Sequence, residues 1–211
     1  MPENCFISNL SRLEAPEARD HECAQQETLR RRLFEARTVL LFGEVTTELA
    51  QTVCAQLLAL AGQNSEPIKI VLHSQGGHVE AGDTIHDVIR FVPAPVWILG
   101  TGWVASAGAL IFAAAAREYR FSLPNTRFLL HQPIGGVGGP ASDVEIEARQ
   151  IAQMRRRLNQ LFAEATGQPL EKIARDTDRN HWMSAREAVE YGLAGSVVER
   201  ASQFMNPAPA P

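Results

Sequence analysis

Cysteine is scarce in this chain: Cys5, Cys23 and Cys54 are the only three among 211 residues, and no two form a CxxC pair. That usage argues against a disulfide framework and makes the cytoplasm the expected compartment. The six histidines contain no pair at the spacing of a zinc-binding helix, so no metal site is expected. Long hydrophobic runs are missing too. Val104 to Ala116 falls short of the roughly 20 apolar residues that a membrane span needs. Positive charge is not in excess, with 20 Lys and Arg against 24 Asp and Glu and a net charge of −4, so no general attraction to nucleic acid is expected. The opening Met1-Pro2-Glu3-Asn4 has no basic region leading into an apolar one, and no secretory signal is expected. What is present is 45% hydrophobic and 21% charged, the balance of one globular domain with a sizeable core.

Short apolar segments near Val39–Phe42, Ile68–Leu72, Val96–Leu99, Tyr119–Ser122 and Phe128–Leu130 alternate with helical stretches such as Val79–Phe91. Such alternation predicts an α/β fold with a largely parallel sheet. Residues 141–166 contain no Pro or Gly, and Val144, Ile151, Met154, Leu158 and Leu161 recur near helical spacing, which predicts one long helix. The preceding Gly135 to Gly139 suits an exposed strand that pairs with a peptide or with another chain. Residues 1–32 read as a polar N-terminal segment, with Arg30-Arg31-Arg32 on a solvated helix face and too few arginines for a nucleic-acid patch. Residues 33–200 form the domain, and 201–211, ending in a Pro/Ala repeat, read as a disordered tail.

Three turns carry chemistry. In Gly102-Trp103-Val104-Ala105-Ser106-Ala107-Gly108-Ala109 a serine sits among small residues where a hydrophobic strand becomes a hydrophobic helix. Free N–H groups and the positive end of the helix dipole stabilise a negatively charged tetrahedral intermediate there, which makes Ser106 the candidate nucleophile. A plain helix cap is the competing reading. Val104 stands where the α/β-hydrolase elbow has glycine, which argues against that fold. Upstream, the strand ending at Leu72 runs into His73-Ser74-Gln75-Gly76-Gly77, whose glycines allow close backbone approach and point the Gly77 N–H at an oxyanion. Downstream, Arg127 to Leu130 ends in His131-Gln132-Pro133-Ile134-Gly135-Gly136, and an imidazole at a strand end suits a general base.

From about Leu33 to Val198 the chain resembles ClpP, the self-compartmentalising serine peptidase. The resemblance rests on Ser-x-Gly-Gly at Ser74–Gly77, Ala-Ser-x-Gly-Ala at Ala105–Ala109, Leu-Pro-Asn-x-Arg at Leu123–Arg127, His-Gln-Pro-x-Gly-Gly at His131–Gly136 and the run Ser184–Leu193. It implies the ββα spiral of the ClpP/crotonase fold, with residues 141–166 as a protruding handle helix. It implies a triad of Ser106, His131 and a third member, and an oxyanion hole from the N–H groups of Gly77 and Ala107. Gly76, Gly135 and Gly136 would bind the substrate backbone. The third position, an aspartate in the family, is Asn180 here. An asparagine carbonyl can accept from the imidazole and hold its tautomer, but it brings no charge. Asp176 and Asp178 lie nearby as alternative carboxylates.

The resemblance also implies heptameric rings stacked as a double-ring tetradecamer, peptide substrates, no cofactor in the subunit, and ATP only through a partner AAA+ unfoldase of the Clp type. The family's N-terminal segment is not recognisable in Met1 to Arg32. Lys69 and Val71 replace tyrosines of its ATPase-docking pocket, where Phe91 and Phe121 keep the apolar character. Gln75 replaces the usual proline, and Ala107 the usual methionine. Three readings remain open at this point: a Ser-His-Asn peptidase, a slow or conditionally activated one, and a subunit without catalysis in a mixed ring beside a ClpP paralogue. An acyl-CoA enzyme of the crotonase branch would not need both Ser106 and His131.

Overall fold

Alternating apolar strands and amphipathic helices give each strand a face for a helix to cover. The computed structural model describes residues 16–136 and 138–205, with side chains from Gln25 onward. The order is α1 Pro16–Glu35, β1 Thr38–Val45, α2 Thr47–Gln63, β2 Ile68–Gly77, α3 Val79–Phe91, β3 Val96–Ala105 and α4 Ala107–Ala113. There follow β4 Arg120–Ser122, β5 Arg127–Leu130, α5 Ala141–Thr166, α6 Leu170–Asp176, β6 His181–Ser184, α7 Ala185–Tyr191, β7 Ser196–Val197 and α8 Ala201–Met205. All five expected strands are present, and β1, β2 and β3 run further than their apolar cores suggested.

The sheet has the order β1-β2-β3-β4-β7, and every neighbouring pair is parallel. β2 alternates, so that Ile68, Ile70, Leu72 and Ser74 are buried while the residues between them are half-buried. The buried set joins Leu57 and Leu60 of α2, Ile85 of α3 and Leu110 to Phe112 of α4 in one core.

β3 then does something its sequence does not announce. Its first half, Ile98 to Gly100, pairs with β4, and its second half, Trp103 to Ala105, leaves that partner and pairs in parallel with β5. β5 in turn pairs antiparallel with β6, Leu130 opposite His181. This fork brings the ends of β3, β5 and β6 to one place.

The long helix is present with the expected limits. Between Ala141 and Arg157 no residue of α5 is buried, and its buried positions begin at Leu158, Asn159 and Phe162. From Ile151 inward the helix meets its own subunit, with Met154 on the core and Arg155 and Arg157 paired to Asp178 and Asp83, while the outer part, 141–150, extends roughly 15 Å further at 1.5 Å per residue. A helix packed within its own subunit is therefore the wrong description for that part. The preceding segment, expected as an exposed strand, pairs with no strand among the described residues; Gly135 instead lies against Ile151 of α5. The basic run lies on an exposed face of α1, where Arg31 and Arg32 meet Glu35.

Two further expectations change. Residues 201–205, assigned to a disordered tail, form α8, because Phe204 has an apolar seat: it is buried edge-on against Phe121. The remainder of that tail, 206–211, and residues 1–15 of the N-terminal segment lie outside the described residues. Phe121 is consequently covered, whereas Phe91 is 79% exposed, so the two do not share one open pocket. No helix among the described residues is long and apolar enough to cross a membrane. Phe204→Ala should cost about 3 kcal/mol, the usual size of a buried phenylalanine truncation, read as a lower midpoint in urea denaturation; an unchanged midpoint would show that α8 is not seated.

Candidate active site

The end of β3 turns into α4 at Ser106, whose backbone takes φ 56° and ψ −121°. A side chain that adopts positive φ is strained by about 1–3 kcal/mol. Three contacts hold it: the Ser106 N–H donates to the Leu129 carbonyl at 3.0 Å, the Ser106 carbonyl accepts from Leu110 N–H at 3.1 Å, and the glycine turn presses against it from β2. Ser106 occupies the N-cap position, yet its hydroxyl makes no capping hydrogen bond. The cap reading thus fails, and the hydroxyl stays available.

Gly76 is required by that contact. A β-carbon built on it would lie 2.6 Å from the Ser106 β-carbon and 3.2 Å from the Ala107 nitrogen, and its φ is +99°. The turn is shaped by Ser74, fully buried, whose Oγ accepts from the Gly76 N–H at 3.0 Å. His78 N–H donates to Val45 of β1 at 2.8 Å. The Ala107 N–H, first in α4, has no partner within its own helix.

Pairing of Ala105 with Leu129 carries His131 alongside the Ser106 turn, and pairing of Leu130 with His181 sets Asn180 across from His131 when the ladder is continued by one residue. His131 is half-buried, and desolvation lowers its pKa from the ordinary histidine value. No carboxylate counters that effect. In the isolated subunit no hydrogen bond among the described residues joins Ser106 to His131 or His131 to the exposed Asn180. The neighbouring acids are committed elsewhere: Asp176 accepts from Lys172 at 2.6 Å and from the Tyr191 hydroxyl at 2.8 Å, and Asp178 accepts from Arg155 of α5 at 2.9 Å.

Sequence reasoning missed Gln132. Its N–H donates to Thr177 and its side chain to the Asp178 carbonyl, both at 2.7 Å, which laces the strand end bearing His131 to the segment bearing Asn180. Gly135 and Gly136 are exposed at the mouth of this region. No cluster of His, Cys, Asp or Glu able to hold a metal occurs among the described residues. Cys54 is buried and free. A cavity of about 530 Å3 lies away from this site, between α1 and β1, beside Phe34 and Leu40.

A serine held in a strained turn at the end of β3, with β5 paired alongside and leading into a histidine, makes a candidate serine hydrolase site on a ClpP/crotonase-type fold. The family model for Clp protease matches residues 20–201. The chain belongs to the Clp protease family. It is 60% identical over 166 residues to ATP-dependent Clp protease proteolytic subunit 3 of Rhizobium etli, covering 79% of this chain and 86% of that one. It is 53% identical over 165 residues to proteolytic subunit 2 of Pseudomonas aeruginosa, covering 78% and 82%. Among solved structures it matches ClpP1 from Listeria monocytogenes with a TM-score of 0.76 at 51% identity, covering 83% of this chain and 99% of that one. A mutant of that protein, in which one asparagine is replaced by aspartate, matches with a TM-score of 0.78. The family match begins within α1, so part of the N-terminal segment that had looked unrelated falls inside it.

Gly76→Ala should leave the secondary structure intact by circular dichroism and lower peptide cleavage about a hundredfold, because it displaces the serine by an ångström-scale clash. Cleavage at the wild-type rate would show that the two turns do not touch in the working site.

Proposed function

We propose that the chain is a serine endopeptidase subunit of a ClpP-like barrel that cuts peptides or unfolded protein. The observation that supports this is the Ser106 hydroxyl, which makes no capping hydrogen bond and is held in a strained turn against Gly76; the N–H groups of Gly77 and Ala107 serve as the oxyanion donors in this reading. Ser106 Oγ attacks the scissile carbonyl while the His131 imidazole takes its proton. The oxyanion lies between the two N–H groups. The acyl-enzyme forms as His131 returns the proton to the leaving amine, and a water activated by the same imidazole releases the product. Gly76, Gly135 and Gly136 line the approach of the substrate backbone, and Asn180 accepts from His131 to fix its tautomer. The reaction needs no cofactor of the subunit's own. ATP enters only through a Clp-type unfoldase.

The exposed outer length of α5 and the open face of β1, with Leu40 and Phe42 about half exposed, support assembly into heptameric rings stacked through the handles. A second reading has its own observation. The three proposed triad members are unlinked by hydrogen bonds in the isolated subunit, and the third is an amide. A subunit that is silent until assembly, or that serves a mixed ring beside a ClpP paralogue, fits both facts.

Ser106→Ala and His131→Ala should each abolish peptide cleavage while leaving the oligomer intact in size-exclusion chromatography; cleavage that persists in either would remove the first reading. Asn180→Asp should raise cleavage by about tenfold or more, and Asn180→Ala should lower it. The pH dependence follows from His131. Its lowered pKa keeps the imidazole neutral at pH 7, so activity should fall only as pH drops below the ordinary histidine range near 6.5. A carboxylate at position 180 favours the imidazolium and should move that acid limb to higher pH. An unmoved limb would show that residue 180 does not face His131.

A further inference from the structure

His73 lies outside the triad, but its position is unusual. The ladders on both sides of it slip: β1 against β2 jumps from the pair Phe42 and His73 to Glu44 and Gly76, and β2 against β3 jumps from Leu72 and Gly100 to Ser74 and Val104. Regular backbone bonding is thus interrupted at His73, three residues before Gly76 and opposite Thr101 to Trp103. The side chain fills the gap. The Trp103 N–H donates to His73 Nδ1 at 3.2 Å, and the same nitrogen lies 3.2 Å from the Thr101 carbonyl oxygen. Between them Gly102 takes φ +57°, and a β-carbon there would sit 2.7 Å from Nδ1. Phe42 of β1 packs on the imidazole with ring centroids 5.6 Å apart.

We infer that His73 is a positioning residue for the nucleophile: its unprotonated Nδ1 clamps the start of the Trp103–Ala105 run that pairs with β5 and ends at Ser106. The inference rests on the peptidase reading. Nδ1 has one role at a time. With a lone pair it accepts from Trp103. With a proton it can only donate to Thr101, and the Trp103 N–H loses its partner. A ring that carries its proton on Nδ1 therefore leaves the end of β3, on the strand that delivers Ser106, without this clamp. The helices α2, α3 and α4 pack on the opposite face of β2, the face of Leu72 and Ser74.

Asparagine keeps the acceptor without the ring, because its Oδ1 is attached to Cγ as Nδ1 is and accepts from an N–H. In the assembled full-length protein at pH 8, His73→Asn should keep the wild-type kcat/KM for a peptide, and His73→Leu should cleave roughly tenfold more slowly, the value of one lost hydrogen bond, with the loss in kcat and not in KM. Wild-type cleavage by His73→Leu, or an equal loss in His73→Asn and His73→Leu, overturns the inference. A second readout needs no catalysis. With Trp97→Phe and Trp182→Phe, Trp103 is the sole tryptophan, and its emission should shift when His73→Leu is added and hold when His73→Asn is added. Emission left unchanged by His73→Leu overturns the clamp. An emission shift confined to His73→Leu, with no cleavage in any protein, supports the clamp and removes the peptidase reading instead.

Discussion

The positive φ of Ser106 is the constraint on which the site depends. A serine adopts that backbone only where its surroundings force it, and here the forcing comes from three directions. The ladder with β5 fixes its N–H, the first turn of α4 fixes its carbonyl, and Gly76 closes on its β-carbon. Each of these needs another feature in turn. The ladder needs β3 to fork away from β4, α4 needs the small residues Ala107, Gly108 and Ala109 to pack closely on β2, and Gly76 needs the Ser74 hydroxyl to hold its turn. The strain is thereby shared across the core, and the hydroxyl is left for chemistry instead of capping.

The histidine and asparagine are placed less firmly. They sit at strand ends, laced by Gln132 to Thr177 and Asp178, and through Asp178 to Arg155 on the handle helix. The handle itself buries nothing along its outer length. A contact that moved α5 would reach the His131 and Asn180 segments through this lacing before it reached Ser106. A Ser106 held from three sides and a His131 segment tied to α5 fit the proposed subunit whose activity depends on assembly.

Much of the fold was legible because strands and helices repeat at different periods, and because the serine, histidine and glycine turns each stand at a strand end. The limits of the long helix also followed from its lack of Pro and Gly. What escaped was non-local. Nothing in Val96–Ala105 tells that one strand serves two partners, and nothing in Phe204 tells that Phe121 will be within reach. The carboxylates at 176 and 178 looked like possible stand-ins until Lys172, Tyr191 and Arg155 were seen to hold them. Gly102, a glycine inside a strand, was the available signal for the His73 contact.

The account stands or falls on whether Ser106 is a nucleophile with an asparagine in the third position. Intact mass after exposure of the assembled protein to a fluorophosphonate, with Ser106→Ala as control, tests this most directly. The account predicts one adduct per subunit at full occupancy, absent from the mutant. No adduct on the assembled protein, or an equal adduct on Ser106→Ala, would contradict it.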